Sequence, residues 1–139
     1  MYNHKNQRDL PQSDCILLVN CLAPKKDIRI KFSPSYRVAA WANGNTIKLP
    51  MWGRKYSIIA HEVAHITCKD HKTEMYPYSP HGPLFVSIVM EYYIAMGISS
   101  KNRAISSAID MKVDYAWEPD DYRIQSTKHS LSSVGFDIK

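Results

Sequence analysis

Residues 57–69 read SIIAHEVAHITCK, and this stretch decides how the rest of the 139-residue chain is interpreted. Its apolar residues recur with helical spacing, which predicts a helix over residues 52–69 that is apolar on nearly every side. His61 and His65 are four residues apart, so both project from one face of that helix. Two imidazoles and the carboxylate of Glu62 are costly to bury without partners. We therefore expect a cation or a polar group to face them.

The pattern His-Glu-x-x-His on a helix predicts a catalytic metal site. Neutral imidazole nitrogens suit zinc, and a catalytic zinc site has three protein ligands and a fourth position for water. We expect zinc as the cofactor, with His61 and His65 as two of its ligands. Glu62 follows the first histidine directly, so its carboxylate can take a proton from the water and later pass it to a leaving amine.

Two histidines compete for the position of the third ligand. His71 lies six residues after His65, which is the metzincin spacing, but Cys68 stands where that pattern has the glycine that turns the chain. His81 lies between a proline and a glycine at the start of the next predicted helix, from where it can reach back to the first helix. The other candidates are the carboxylates of Glu74 and Glu91.

The residues before the His-Glu-x-x-His helix predict one more helix and a small sheet. A continuous apolar run suits a helix that stops at a proline, alternating apolar and charged residues suit half-buried strands, and Asn-Gly is a strong hairpin signal. The predicted elements are a helix over 14–23 ended by Pro24, strands over 27–32 and 36–42, a turn at Asn43-Gly44-Asn45, and a returning antiparallel strand over 46–49 closed by Pro50.

The residues after the His-Glu-x-x-His helix predict a loop, two helices and a weakly patterned tail. The predicted elements are a loop over 70–83, an apolar helix over 84–96 ended by Gly97, a helix capped by Ser99 or Ser100 that runs to about Met111, and a polar tail from Asp120. We expect that tail to be partly flexible or packed over the sheet. The chain is thus predicted to be a single domain over 1–139, with flexible segments at 1–12 and 120–139.

Composition limits the classes of protein to consider. Hydrophobic residues make up 45% of the chain, yet no apolar run approaches the roughly 18 residues of a membrane span, so we expect no membrane association. Residues 1–11 lack the apolar core of a secretion signal, which predicts a cytoplasmic protein with reduced cysteines. The net charge of +5 is scattered, and without an aromatic-basic motif it supports DNA binding only weakly. The oligomeric state stays open.

The chain resembles the SprT-like zinc peptidases and related small phage and bacterial metallopeptidases. The resemblance covers about residues 37–98 and is carried by an edge strand ending in TIKLP, by SIIAHEVAHI, and by HGPLF followed by the apolar stretch VSIVMEYYIAMGI. In those families the histidine of the HGP motif is the third zinc ligand, which implies His81 for this chain. The zinc-ribbon cysteine quartet that some SprT-like proteins append does not occur here.

The resemblance implies an α+β fold: a minimal zincin-like domain with a short, mostly antiparallel sheet, the active-site helix and two to three further helices. The expected function is hydrolysis of peptide bonds in a peptide or protein substrate. The edge strand over 46–49 could pair with an extended peptide, and Tyr78 lies in a loop expected to overhang the site. The alternatives are a metal-containing regulatory domain that binds DNA or protein, and a zinc amidase acting on a non-protein substrate. An intact Glu62 favours an enzyme over a structural zinc site.

Overall fold

A computed structural model describes residues 7–137 and has an α+β fold. The chain divides into two compact units, the first ending at Ile66 and the second beginning at Thr67. The expectation of a single domain stays a prediction. For the predicted flexible termini, residues 1–6 and 138–139 lie outside the described residues.

The first unit begins with helix α1, Gln12–Leu22, close to the predicted range of 14–23. Cys15, Leu18, Val19 and Leu22 are buried, which is the spacing of one helix face. Burial raises the pKa of the Cys15 thiol to about 11. All three cysteines are buried and free of disulfides, as expected for reduced thiols.

Three strands form the sheet of the first unit: β1 (Arg29–Phe32), β2 (Trp41–Asn43) and β3 (Thr46–Leu49). The strand order is β1-β3-β2, with β2 antiparallel and β1 parallel to β3. Gly44 turns the β2–β3 hairpin with a φ of 60°. The sheet is therefore mixed, and the prediction of a mostly antiparallel sheet was wrong because the longest pairing, β1 with β3, is parallel.

The predicted strand over 36–42 was too long, since β2 spans only Trp41–Asn43. Before it, the hydroxyl of Ser33 accepts a hydrogen bond from the backbone N–H of Ser35, and the hydroxyl of Ser35 accepts one from the backbone N–H of Arg37. Such local side-chain bonds favour bends over an extended ladder.

The prediction that 46–49 is an edge strand was also wrong. β3 lies between β1 and β2 and is hydrogen-bonded to both, so its backbone has no open edge for a peptide. The Asn-Gly turn predicts the hairpin, but no local signal shows that β1 joins its other side.

Helix α2, Tyr56–Thr67, confirms the centre of the helix predicted over 52–69. A 3₁₀ helix, Met51–Gly53, precedes it, and another, Cys68–His71, follows it. The residues at 59, 60, 63, 64 and 66 are all buried. The apolar pattern thus fixes α2 in the core, while His61 and His65 stay partly exposed.

The second unit is built around helix α3, Pro83–Ala95, which matches the prediction of 84–96. Every residue from 84 to 95 is buried, as expected for a helix that is apolar on all sides. Gly97 follows it with a φ of 75°. Helix α4, Lys101–Asp110, starts at Ser100, whose hydroxyl accepts a hydrogen bond from the Arg103 N–H at 3.2 Å. Of the two predicted caps, Ser100 is the one used.

The tail contains a fifth helix, α5, Asp121–Ser133, which the weakly patterned sequence did not predict. The expectation that residues 120–139 are partly flexible or packed over the sheet stays a prediction. Helix α5 packs against α3, burying Ile124 and Leu131, and Asp120 caps it by accepting from the Arg123 N–H at 2.9 Å. Four helices thus accompany α2 in the described chain, more than the two to three predicted. Over those same residues, none of the helices could span a membrane.

Candidate metal centre

His61 and His65 lie one turn apart on α2, as their spacing predicts. Their Nε2 atoms are 3.2 Å apart, and the centroids of the two rings are 4.9 Å apart. Both side chains are partly buried, while the residues on the other sides of this turn are fully buried. The helix therefore presents both imidazoles together at its accessible face.

His81 lies in a tight turn immediately before α3. The Gly82 N–H donates to the Ser79 carbonyl at 3.0 Å, Pro80 is the second residue of the turn, and His81 is the third, with a φ of 59°. That pattern is typical of a type II turn, whose third position usually holds glycine or asparagine. The His81 ring packs against the ring of Phe85 with centroids 4.9 Å apart.

The left-handed backbone of His81 is a strained conformation for this residue type, at a cost of about 1 kcal/mol. Gly82 next to it has no room for a side chain, since a Cβ there would lie 3.0 Å from the Ser79 Cβ and 3.2 Å from the Ser79 carbonyl oxygen. The glycine thus satisfies the packing of the turn, while the strained position carries an imidazole. A strained histidine is a reason to expect a function for its side chain.

His61, His65 and His81 form a group that could hold a metal ion, because their ligand nitrogens all lie within 4.8 Å of one another. The donor set fits zinc, which binds imidazole nitrogen and is commonly held by three histidines at catalytic sites. Tetrahedral bonds of about 2.0–2.1 Å would separate two ligand nitrogens by roughly 3.3 Å. The observed 3.2 Å between the His61 and His65 Nε2 atoms matches that spacing.

Glu62 directly follows His61 in the sequence. Its side chain is buried, with 6% of the residue's surface exposed. Burial raises the pKa of this carboxyl to about 7, because a charged carboxylate loses hydration in the protein interior. A cation held by the neighbouring imidazoles would lower that pKa again, since a positive charge favours the ionised form. Glu62 is thus a carboxyl whose charge depends on its surroundings.

The alternative ligands lie elsewhere in the second unit. His71 is exposed, and its ring packs edge-on against Trp117 with centroids 5.6 Å apart. Glu74 is exposed in the loop before the His81 turn.

Tyr78, the candidate for substrate binding, is also exposed, and the Lys69 ammonium lies 5.0 Å from its ring centroid. A substrate-binding role for Tyr78 stays a prediction.

Glu91 is buried on α3, and other groups in the second unit already satisfy its carboxylate. Arg123 binds it with two hydrogen bonds, from Nε at 2.8 Å and from Nη2 at 2.9 Å. The Trp117 indole N–H donates to it at 2.8 Å, and the Asp120 backbone N–H does so at 3.1 Å. Glu91 therefore ties the tail to α3 and is not placed as a metal ligand.

This network was missed at the sequence level, although one signal pointed to it. A lone glutamate in a helix that is apolar on all sides needs a buried partner. The tail supplies it, and Ser87, one turn earlier on α3, accepts hydrogen bonds from the backbone N–H groups of Ala116 and Trp117 at 2.7 and 3.1 Å. The sequence does not show which of several cations in the tail fulfils the need.

Comparisons with protein-family models, with curated proteins and with solved structures found no match to this chain.

The strain at His81 is measurable through the stability of the metal-free protein. Both His81→Gly and His81→Ala remove the imidazole, but glycine adopts a positive φ without cost. We expect the glycine variant to unfold with a free energy higher by about 0.5–1 kcal/mol. Urea denaturation in the presence of a chelator measures the difference. The same pair of substitutions at His71, which lies in a 3₁₀ helix, should rank in the opposite order. If the free energy of unfolding of His81→Ala equalled or exceeded that of His81→Gly, the backbone at this position would not be strained.

Arg123→Ala should destabilise the second unit, because the buried Glu91 carboxylate loses its bidentate partner. We expect a loss of about 2 kcal/mol in the free energy of unfolding, reduced from the full cost of a buried orphan charge because Arg123 is 45% exposed. Chemical denaturation monitored by circular dichroism gives the value. Arg103→Ala on the exposed side of α4 is the matched control and should change stability by less than about 0.5 kcal/mol.

Proposed function

We propose that this chain is a zinc-dependent metallopeptidase that hydrolyses peptide bonds in a peptide or protein substrate, similar in its chemistry to the SprT-like peptidases that its motifs resemble. The observation that carries the proposal is the group of three histidines, whose ligand atoms lie within 4.8 Å of one another. Glu62 strengthens it, because a purely structural metal site has no need for a buried carboxyl next to one of its ligands.

His61, His65 and His81 are the residues that would hold the zinc. When bound, zinc would act as a Lewis acid on the scissile carbonyl and lower the pKa of a bound water towards about 7. The three imidazoles must be neutral to serve as ligands, so we expect metal affinity to fall in acid as they become protonated. The rigid spacing of two of them on one helix limits the rearrangement that binding requires.

Glu62 is proposed as the general base and then the general acid. Its ionised carboxylate accepts a proton from the attacking water, and the protonated form donates that proton to the nitrogen of the leaving amine. A carboxyl whose pKa rises to about 7 on burial and falls next to a cation is suited to both directions of transfer. Because Glu62 is fixed on the same helix turn as His61, it needs no loop movement to reach its position.

Zinc analysis and a cleavage assay on a small set of variants test the proposal. We expect purified wild type to bind one zinc per chain and to cleave an unstructured protein such as casein. His61→Ala, His65→Ala and His81→Ala should each weaken zinc binding at least tenfold. Glu62→Gln should keep the metal and lose about 10²-fold or more in turnover. His129→Ala, an exposed histidine on α5, is the matched control and should behave as wild type.

Specific outcomes would contradict the proposal. If Glu62→Gln retained full cleavage activity, the base would be another group. If the chain bound zinc tightly yet cleaved neither casein nor a library of short peptides, a peptidase function would be wrong. His71→Ala provides a further check, because a loss of zinc from this variant, with zinc retained by His81→Ala, would move the third ligand to His71.

A further inference from the structure

The sheet of the first unit has one face that is rich in positive charge. Residues alternate between the two faces of a sheet, and the register aligns two rows on the outward side. One row contains Arg29, Thr46 and Asn43, and the other contains Lys31, Lys48 and Trp41. We name these six residues the basic sheet face.

Burial shows which side of the sheet is turned to solvent. Ile47 and Leu49 of β3 are fully buried, and their cross-strand neighbours Ile30 and Phe32 are partly buried with them. In contrast, Arg29, Lys31, Trp41 and Asn43 are exposed, while Thr46 and Lys48 are partly exposed. The charged residues therefore occupy an open surface, opposite the apolar side that faces the core.

The positive charges on this face have no ion-pair partner among the described residues. Strands β1, β2 and β3 contain no aspartate or glutamate, and among the described residues no ion pair involves Arg29, Lys31 or Lys48. Lys31 and Lys48 are direct cross-strand partners, an arrangement that is unfavourable for stability because like charges repel. The sheet thus brings three cations together on one face without an ion pair among the described residues.

Trp41 ends the row that contains the two lysines. It pairs directly with Lys48 across β2 and β3, and 39% of its surface is exposed. A large exposed indole beside cations is the combination found on surfaces that bind single-stranded nucleic acids. The phosphates contact the cations, and an unpaired base stacks on the ring. An acidic peptide would use the charges but would have no need for the indole.

We propose that the basic sheet face binds single-stranded nucleic acid, with Arg29, Lys31 and Lys48 contacting phosphates and Trp41 stacking on a base. Recognition of this kind does not depend on sequence, because every base has a face that can stack. The surface uses none of the residues of the three-histidine group, so the proposal stands independently of the peptidase function. Single strands are favoured over duplex because the stacking position needs an unpaired base.

Fluorescence anisotropy with a labelled fifteen-nucleotide oligo(dT), the equivalent RNA, and a DNA duplex of the same length tests the proposal on the full chain. We expect the single strands to bind more tightly than the duplex. Affinity should fall with salt with a logarithmic slope near −2, which corresponds to about three phosphate contacts at roughly 0.7 per contact. The DNA and RNA arms establish whether the surface discriminates between the two sugars.

Substitutions with matched controls assign the binding to this face. Arg29→Gln, Lys31→Gln and Lys48→Gln should each reduce the salt slope by about 0.7, and Trp41→Ala should weaken binding about tenfold at constant slope. Arg103→Gln on α4 makes the same change of charge as Arg29→Gln, and Tyr122→Ala removes an aromatic residue that is 83% exposed on α5. Both controls should bind as wild type. Thermal unfolding of each variant verifies that the sheet remains folded. If Trp41→Ala does not fold, Trp41→Phe replaces it, because phenylalanine keeps an aromatic ring at this position.

Several outcomes would overturn the proposal. Equal weakening by Arg29→Gln and Arg103→Gln would mean that only the net charge matters. Binding of the duplex as tightly as the single strand, or of polyglutamate as tightly as either, would exclude single-stranded nucleic acid as the specific partner. Folded Trp41→Ala and Trp41→Phe variants that both bind as wild type would remove the stacking contact.

Discussion

The helical spacing of His61 and His65 is the constraint on which the candidate site depends. Four residues bring two imidazoles to one face of α2 with their Nε2 atoms 3.2 Å apart. Residues on the remaining sides of the same turns are buried, including Glu62, so the helix cannot rotate to hide the histidines without exposing its apolar residues. The core packing of α2 therefore also orients the candidate ligands.

Much of this arrangement was predictable because it rests on local rules. The apolar runs predicted α1, α2 and α3, and Gly97 and Ser100 mark where α3 ends and α4 begins. The two α2 histidines and Glu62 follow from a five-residue pattern. His81 needed a resemblance, since its sequence context of prolines and glycine predicts a turn but not a positive φ at the histidine itself.

The rest was not predictable because it depends on contacts between distant residues. β1 pairs with the side of β3 that faces away from β2. Only that pairing and its register bring Lys31, Lys48 and Trp41 into one row. No continuous motif in the chain contains them, which is why scattered charge looked uninformative. Helix α5 has few apolar residues, and its Arg123 binds a glutamate 32 residues earlier in the chain.

The fastening of α5 by Glu91 has a consequence for biosynthesis. During synthesis on the ribosome, α3 is complete before Arg123 has been added. The Glu91 carboxylate on α3 must therefore stay hydrated until then. A nascent chain cut short before that point would hold an anion that the interior cannot accept without compensation. Completion of the second unit therefore has to follow the synthesis of Arg123, whose guanidinium supplies that compensation.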